Sequence, residues 1–123
     1  MTPAQKGRAG EELAAALLEQ KGYRILAHNF HCRGGELDLV AAKEDILAFV
    51  EVRTRRSGAM VSPVESVTPT KCKKLVTAAY AFLEEHPHLN HTMQPRFDLV
   101  LVQAVGEDVA CWKTDHLCDA FQP

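Results

Sequence analysis

Two carboxylate residues, Asp38 and Glu51, lie in neighbouring apolar segments that have the composition of β-strands. Alternate side chains of a strand share a face. Glu36 is therefore predicted to lie on the same face as Asp38 in the first strand. By the same rule Arg53 should lie on the same face as Glu51 in the second strand. Because converging carboxylates repel each other and a hard divalent cation relieves that repulsion, the pattern predicts a site for Mg²⁺ or Mn²⁺.

The register of the two strands decides whether their charges meet. A four-residue loop, Lys43 to Ile46, would place Asp38 opposite Glu51 and Glu36 opposite Arg53. We predict this register, because a one-residue slip would turn the apolar side chains toward water. All four charged residues would then share one face, and the opposite face would be lined by Leu37, Leu39, Val50 and Val52.

A bland alternative exists for this pattern. The charges could be solvated on the open face of a hairpin, with Glu36 and Arg53 forming an ordinary surface ion pair of little energetic value. For an isolated pair of acids that alternative would be favoured. Here, however, Glu51 directly follows the apolar run Ile46 to Val50, which is typical of a buried central strand. Buried strands seldom end in charge by accident, and this favours the metal-site interpretation.

A helix is predicted before the two strands, from Pro3 to Lys21, because proline suits its first turn and Gly22 suits its end. Glu11 stands one turn before apolar residues of this helix, so it borders the core. An acid in that position needs a polar partner, such as a metal-site water or Arg53. The alternative is that Glu11 only complements the helix dipole. A strand from Tyr23 to Phe30 follows, and its imperfect alternation indicates an edge position.

A second helix is predicted from Pro69 to Glu85, with Thr68 as its N-cap, after a loop from Arg56 to Val67. Lys71 lies in its first turn, where a cation opposes the helix dipole. A bound phosphate would relieve this conflict, since helix N-termini favour anions. We therefore expect Lys71 to contact a phosphate. The alternative is a solvated lysine, at a cost of roughly a few tenths of a kcal/mol.

Basic residues are concentrated beside the acidic pair. From Arg53 to Lys74 the chain carries six bases and one acid, Glu65. This local excess of positive charge suits a phosphate backbone, although a solvated helix face and a charged loop would have the same composition. The candidate nucleic-acid contacts are Arg53, Arg55, Arg56, Lys71, Lys73 and Lys74.

The C-terminal part is predicted to add two strands. His86 to His91 is predicted to be a histidine-dense loop. Arg96 to Ala104 has the apolar density of a strand buried on both sides. Asp98 within it should pair with Arg96 or Arg53 and support the metal site without contacting the metal. Val109 to Thr114 is predicted to be the last strand.

The order helix, three strands, helix, two strands predicts an α/β fold with a mixed sheet flanked by helices. With 123 residues, 46% of them hydrophobic, the chain has the size of a single domain spanning residues 1–123. A net charge of −2 argues against a protein that coats nucleic acid by bulk attraction. The sequence has neither an apolar run of membrane length nor a secretory signal pattern, so we expect a cytoplasmic protein without a membrane partner.

The segments GELDLVA, LAFVEVRTR and RFDLV resemble those of the UPF0102 family, and the resemblance covers the chain from about Gly7 to Phe121. Through that family the chain resembles the PD-(D/E)xK superfamily, which includes restriction endonucleases and archaeal Holliday-junction resolvases. The resemblance implies a restriction-endonuclease-like fold and metal-dependent cleavage of DNA. Since resolvase-like enzymes act as dimers, it also raises the expectation of a homodimer.

The resemblance also implies roles for particular positions. Asp38 and Glu51 match the two metal-binding acids, and Glu11 matches an acid on the first helix of resolvase-like members. Lys71 matches a basic position that opens the second helix. Arg53 departs from the superfamily motif, which usually has lysine there. Because arginine stays protonated in proteins, Arg53 could stabilise phosphate charge and orient water but could not act as a base.

The leading hypothesis is a Mg²⁺- or Mn²⁺-dependent endonuclease acting on DNA, including branched or damaged DNA. Asp38, Glu51 and the Val52 carbonyl would hold the metal, which would polarise the phosphate and lower the pKa of the attacking water. The alternative is a nucleic-acid-binding module of the same fold without chemistry, which Arg53 favours. A third hypothesis, a protein-interaction domain, is favoured by the net negative charge.

Overall fold

The computed structural model describes residues 1–56 and 67–122, so most of the predicted loop from Arg56 to Val67 lies outside the described residues. The elements follow the predicted order of helix, three strands, helix and two strands, with one short additional helix. Their bounds are α1 Pro3–Gln20, β1 Arg24–Cys32, β2 Gly35–Lys43, β3 Ile46–Arg56, α2 Pro69–Glu85, α3 Pro87–Thr92, β4 Gln94–Ala104 and β5 Lys113–Leu117.

The strands form one five-stranded sheet in the order β1-β2-β3-β4-β5. All neighbours are antiparallel except β3 and β4, which are parallel and are connected through α2. The predicted edge position of β1 is confirmed. This is the predicted mixed α/β fold, and its order of elements is that expected of a restriction-endonuclease-like domain.

The two long helices cover opposite faces of the sheet, which gives the protein two hydrophobic cores. Ala14 and Leu18 of α1 pack with Val50 on one face. Leu75 and Phe82 of α2 belong to the other core, which is completed by β-strand side chains including Val40 and Phe49. Because β3 is covered on both faces, its residues 47–51 are all buried.

The predicted register of β2 and β3 is confirmed from Lys43 opposite Ile46 to Leu39 opposite Val50. The paired positions end there, one residue before Asp38 and Glu51. The predicted four-residue loop is wrong, because the connection is a turn of two residues, Glu44 and Asp45. Glu44 adopts a left-handed backbone conformation with φ 54°, which is typical of tight hairpin turns. Ile46 therefore begins the strand.

The predicted faces of β2 are partly wrong, since Leu37 and Leu39 do not lie together. Leu39 packs in the α1 core, whereas Leu37 packs in the α2 core. The alternation breaks at Asp38, beside which Asn29 of β1 takes a left-handed conformation with φ 49°. The irregularity turns the start of β2 toward α2, as an irregular strand segment can re-aim side chains.

Two other predicted elements differ from the structure. The histidine-dense segment is not a loop, because residues 87–92 form α3, which Pro87 can start at its first position. The last strand is displaced toward the C-terminus, to Lys113–Leu117. A short 3₁₀ helix, Val109–Cys111, occupies the predicted start, and the Asp108 side chain caps it by accepting a hydrogen bond from the Ala110 N–H (3.2 Å).

Close helix–sheet contacts bring both helices to the acidic end of the strands. At Gly10 of α1, an added Cβ would overlap the Thr54 hydroxyl of β3. At Gly35 of β2, an added Cβ would overlap the Lys74 carbonyl of α2. Glycine at these two positions allows the backbones to approach. As a result, the N-terminal half of α1 lies against β3, and the N-terminal half of α2 lies against the start of β2.

Candidate metal site and nucleic-acid clefts

Glu51 is a buried carboxyl at the end of the covered part of β3, and only 5% of the residue is exposed. Burial raises its pKa to about 8, and the adjacent carboxyl of Asp38 adds to the rise through a hydrogen bond and charge repulsion. Lys71 and Arg53 oppose the rise with their positive charges. The Lys71 Nζ lies 3.4 Å from Glu51 Oε2. Within the described residues, no hydrogen-bond donor satisfies this buried oxygen.

Asp38 joins the two strands where their backbone ladder ends. Its Oδ2 accepts a hydrogen bond from the Val52 N–H at 2.8 Å. In a strand, the N–H and C=O of one residue point to the same side. The Val52 carbonyl therefore points toward β2 and Asp38, where a metal ligand was predicted. The Asp38 carboxylate therefore lies beside the Val52 backbone as well as beside the Glu51 carboxyl.

Glu11 reaches the same region from α1. Partial burial raises its pKa, and the negative charge of Asp38 raises it further, while a hydrogen bond with Asn29 acts in the opposite direction. The charge of Asp38 thus acts on both Glu11 and Glu51, one from each helix-covered side. Asp38 therefore lies near both of the other predicted acids, but the carboxylate oxygens of all three do not lie within 4.8 Å of one another.

The donor set fits a hard divalent cation. Mg²⁺ and Mn²⁺ prefer carboxylate, carbonyl and water oxygens, which are the ligand types that Asp38, Glu51 and Val52 offer. The raised pKa of Glu51 beside a second carboxyl, together with its unsatisfied buried oxygen, is the electrostatic condition that a bound cation relieves. Glu11 could hold a water of such a cation.

The predicted basic residues are divided between two clefts. The first, which we call the α1 cleft, has a volume of about 280 Å³ and lies between α1 and the end of β3. Arg53, Arg55 and Arg56 line it together with Glu11. Lys6 of α1 also lines it and was missed by the sequence analysis.

The second cleft, which we call the α2 cleft, lies on the other face of the sheet and has a volume of about 260 Å³. Lys71 and Lys74 line it with Glu36 and Glu51. Lys73 instead lines a separate, mainly apolar groove on α2 beside Val76 and Tyr80.

Glu36, Glu51 and Arg53 do not all lie on one face as predicted, because Glu36 lies at the α2 cleft with Glu51. Arg53 lies at the α1 cleft instead. The Oε2 of Glu36 lies 3.3 Å from His31 Nδ1 on β1, at an exposed position.

Asp98 does not lie next to the candidate metal ligands, contrary to the prediction. It shares the α1 face of β4 with Val100 and Val102, whereas Glu51 shares the α2 face of β3 with Phe49. Its predicted pairing with Arg96 is confirmed, with Nε at 2.8 Å from Oδ1 and a terminal guanidinium nitrogen at 2.7 Å from Oδ2.

His116 and the Asp119 N–H complete the surroundings of Asp98, at 2.8 and 2.9 Å. Lys21 Nζ lies 2.7 Å from the other ring nitrogen of His116. Because an ammonium group only donates, that nitrogen accepts, and His116 Nε2 carries the proton that it donates to Asp98. Sequence analysis missed His116 and Lys21, since both are distant from Asp98 along the chain.

Asp98, His116 and Cys118 also offer three ligand-type atoms within 4.8 Å of one another, and no other such group occurs in residues 1–56 and 67–122. The oxygens of Asp98 already accept four hydrogen bonds, including two from the Arg96 cation. A metal would have to displace these donors. The chemistry of this group therefore suits a structural hydrogen-bond network.

The fold and the acid pair define an α/β domain of restriction-endonuclease-like order with a candidate cation site at the end of its central strand. Sequence comparison then places it among known proteins. The model of the uncharacterised protein family UPF0102 matches residues 10–102, and the chain belongs to that family.

Similar relatives carry the same family name. A UPF0102 protein of Syntrophomonas wolfei is 46% identical over 115 residues, covering 94% of this chain and 96% of the relative. One from Pelobacter propionicus is 43% identical over 118 residues, covering 94% and 81%. One from Geobacter sulfurreducens is 40% identical over 116 residues, covering 94% and 88%.

In the described part of the chain, no helix is long and apolar enough to span a membrane.

Proposed function

We propose that the protein is a Mg²⁺- or Mn²⁺-dependent nuclease that hydrolyses phosphodiester bonds of DNA. The observation that carries this proposal is the adjacent carboxyl pair of Asp38 and Glu51, with the pKa of Glu51 raised to about 8 at a buried position. An enzyme seldom buries an acid without a partner, and strongly perturbed carboxyls in a cleft are typical of functional sites. The four cations of the α1 cleft, together with Lys71 and Lys74 in the α2 cleft, support a polyanionic substrate.

Each residue would have a distinct task. Asp38, Glu51 and the Val52 carbonyl would hold the cation, which when bound supplies charge stabilisation for the phosphate and lowers the pKa of a water. Arg53 would stabilise negative charge on the phosphate and orient water, since its guanidinium does not deprotonate. Glu11 would hold that water.

Calorimetric titration with Mn²⁺ tests the site without knowledge of the substrate. Wild type is expected to bind Mn²⁺, and Asp38→Ala is expected to lose that binding because one of two carboxylate ligands is absent. Asp45→Ala is the matched control, since Asp45 is an exposed acid in the turn of the same hairpin. Its affinity should equal that of wild type.

Cleavage assays on linear and branched DNA then test the chemistry. Asp38→Ala should abolish Mn²⁺-dependent cleavage while DNA binding persists, because the basic clefts remain. Cleavage that survives in Asp38→Ala would reject the assignment of this residue. If Asp38→Ala loses DNA binding, circular dichroism would show whether the variant has unfolded. Asp38→Asn would then be the less disruptive substitution.

A second candidate is a nucleic-acid-binding module in which Lys71 takes the place of the metal. Its support is the 3.4 Å separation between Lys71 Nζ and Glu51 Oε2, together with arginine at position 53. This candidate predicts DNA binding in the presence of a chelator and no Mn²⁺ binding by wild type. Under it, Lys71→Ala would create Mn²⁺ binding by removing the competing cation. Under the nuclease proposal, wild type binds Mn²⁺ already.

A further inference from the structure

The α1 cleft is a positively charged depression that the acid pair alone does not explain. Its described lining includes four cations and one acid, and the pKa of that acid, Glu11, is raised by burial and by Asp38. The four cations are Lys6, Arg53, Arg55 and Arg56. Such a cluster has the electrostatic character that an anionic ligand favours.

One donor in this cleft is buried and unsatisfied within the described residues. The Nε of Arg55 is shielded from solvent and has no hydrogen-bond partner in residues 1–56 and 67–122. Buried donors of folded proteins usually have partners. A phosphate oxygen would satisfy this donor, because guanidinium groups bind phosphate through paired N–H donors.

The position of the α1 cleft relative to Asp38 and Glu51 indicates what kind of ligand could reach both. The α1 cleft lies on one side of the sheet and the α2 cleft on the other, and the carboxyl pair lies at the strand end between them. A ligand with one phosphate could occupy one cleft only. A chain with regularly repeated phosphates could enter both clefts and pass the acids on its way.

We propose that the α1 cleft binds the backbone of a nucleic acid strand on one side of the phosphate that is cleaved, with Lys6 and Arg55 contacting a neighbouring phosphate. The inference rests on the proposed function for the identity of the cleaved phosphate. The volume of about 280 Å³ lies just below the ~300–1,000 Å³ of typical small-molecule pockets, and four of the ten described lining residues are cationic. Both features favour a groove for backbone over a pocket for a metabolite.

Gly7 provides a way to close this cleft without disturbing the core. It lies in α1 and lines the cleft, and a Cβ added there would meet nothing within 4 Å. It stands one helical turn before Glu11, a spacing that could have identified it from the sequence. Because glycine inside a helix is less favourable than other residues, substitution should not weaken the helix.

The experiment compares four variants for binding of a short fluorescent DNA strand, by anisotropy in a chelator-containing buffer. Gly7→Gln narrows the cleft, and Gly7→Glu narrows it equally but adds a negative charge. Gly7→Ala is the minimal control. Ala16→Glu adds the same charge on the opposite side of α1, because nine residues correspond to two and a half helical turns, and Ala16 is exposed.

We expect Gly7→Glu to weaken binding about tenfold or more at about 0.1 M salt, and Gly7→Gln to weaken it about threefold. Loss of one phosphate contact should also reduce the slope of log affinity against log salt by about one. Gly7→Ala and Ala16→Glu should change affinity less than about twofold, since neither obstructs the cleft.

Several outcomes would overturn the inference. Equal effects of Gly7→Glu and Ala16→Glu would mean that net charge, not the cleft, governs binding. No effect of Gly7→Gln and Gly7→Glu, or no DNA binding by wild type, would exclude the strand from this cleft.

Mn²⁺ calorimetry on the same variants separates this failure from failure of the nuclease proposal. Gly7→Glu retains Asp38 and Glu51, so it should bind Mn²⁺ if wild type does. If wild type binds DNA through the α1 cleft but binds no Mn²⁺, the inference about the cleft is supported and the nuclease proposal is rejected. If wild type binds Mn²⁺ while Gly7→Glu keeps full DNA affinity, the metal site is supported and the DNA strand is excluded from the α1 cleft.

Discussion

Glu51 and Asp98 are two buried acids on the neighbouring parallel strands β3 and β4, and their chemistry is opposite. Glu51 is 5% exposed and Asp98 is 0% exposed. The pKa of Glu51 is raised to about 8, whereas that of Asp98 is lowered to about 2. Burial therefore does not decide the charge of either acid.

The difference lies in their hydrogen-bond donors. Burial would raise the pKa of Asp98, but hydrogen bonds from His116, Arg96 and the Asp119 N–H outweigh it. Glu51 faces the carboxyl of Asp38 instead, and its nearest cation, Lys71, lies 3.4 Å away. The protein thus supplies its own donors to the acid that joins β4 to the C-terminal segment. Among the described residues it supplies no such set of donors to Glu51, and a strongly perturbed carboxyl in a cleft is typical of a functional site.

The largest effect is expected for Asp98→Ala. Removing this carboxylate leaves the Arg96 guanidinium and the His116 N–H without their partner, so the free energy of unfolding should fall by about 3–5 kcal/mol. Urea denaturation would measure the loss. Asp115→Ala, an exposed acid on β5, should change stability by less than about 0.5 kcal/mol. A loss at Asp98 no larger than at Asp115 would contradict the comparison.

The acid limb of stability should also depend on Asp98. Its folded-state pKa of about 2 lies below the ordinary value of 3.8. Its contribution is therefore present above pH 3.8 and is lost as the pH falls toward 2. The stability difference between wild type and Asp98→Asn should shrink across that window, as measured by urea denaturation at each pH. A difference that stays constant would mean that Asp98 is not held ionised.

Glu51→Gln is expected to have a smaller effect of the opposite sign. The folded-state pKa of about 8 exceeds the ordinary 4.5, so folding binds a proton and stability falls as the pH rises from 4.5 to about 8. Glutamine removes this loss, and the variant should exceed wild type by about 2–4 kcal/mol at pH 8 in metal-free buffer, since a pKa difference of one is worth about 1.4 kcal/mol. At pH 4.5 the two should be nearly equal.

Two results would test this interpretation of Glu51. Glu84→Gln, an exposed acid on α2, should show no such dependence on pH. Added Mn²⁺ should reverse the order at pH 8, because the cation stabilises only the chain that keeps both carboxylates. Wild type that is more stable than Glu51→Gln at pH 8 without metal would mean that the charged form of Glu51 is well satisfied.

The smallest effect is expected for Lys71→Ala. Lys71 lowers the pKa of Glu51, so its removal should reduce stability at pH 8 by less than about 1 kcal/mol and leave stability at pH 5 unchanged. In a Glu51→Gln background the effect should vanish, since the interacting charge is absent. Lys73→Ala is the matched control, with the same charge on the same helix but at the separate apolar groove. Equal changes in stability for Lys71→Ala and Lys73→Ala would contradict a specific interaction between Lys71 and Glu51.

Much of the local structure was determined by the sequence alone. Thr68 caps α2 through its side chain, at 3.2 Å from the Lys71 N–H, and Pro69 starts the helix as predicted. Alternation of apolar residues was sufficient for the register of β2 and β3, because a slip would have exposed a buried face. The proximity of Asp38 to Glu51 followed from that register. These signals act over a few residues, which is why a single sequence contains them.

Only the tertiary structure decided the rest. Leu37 and Leu39 pack on opposite faces of the sheet, and alternation within β2 gives no sign of this change. The network around Asp98 depends on donors such as Arg96 beside it and His116, 18 residues along the chain. The two clefts exist because α1 and α2 cover opposite faces of the sheet at the same strand end. Periodicity reports which face a residue takes, but the fold alone decides which distant donor or cation faces a buried acid.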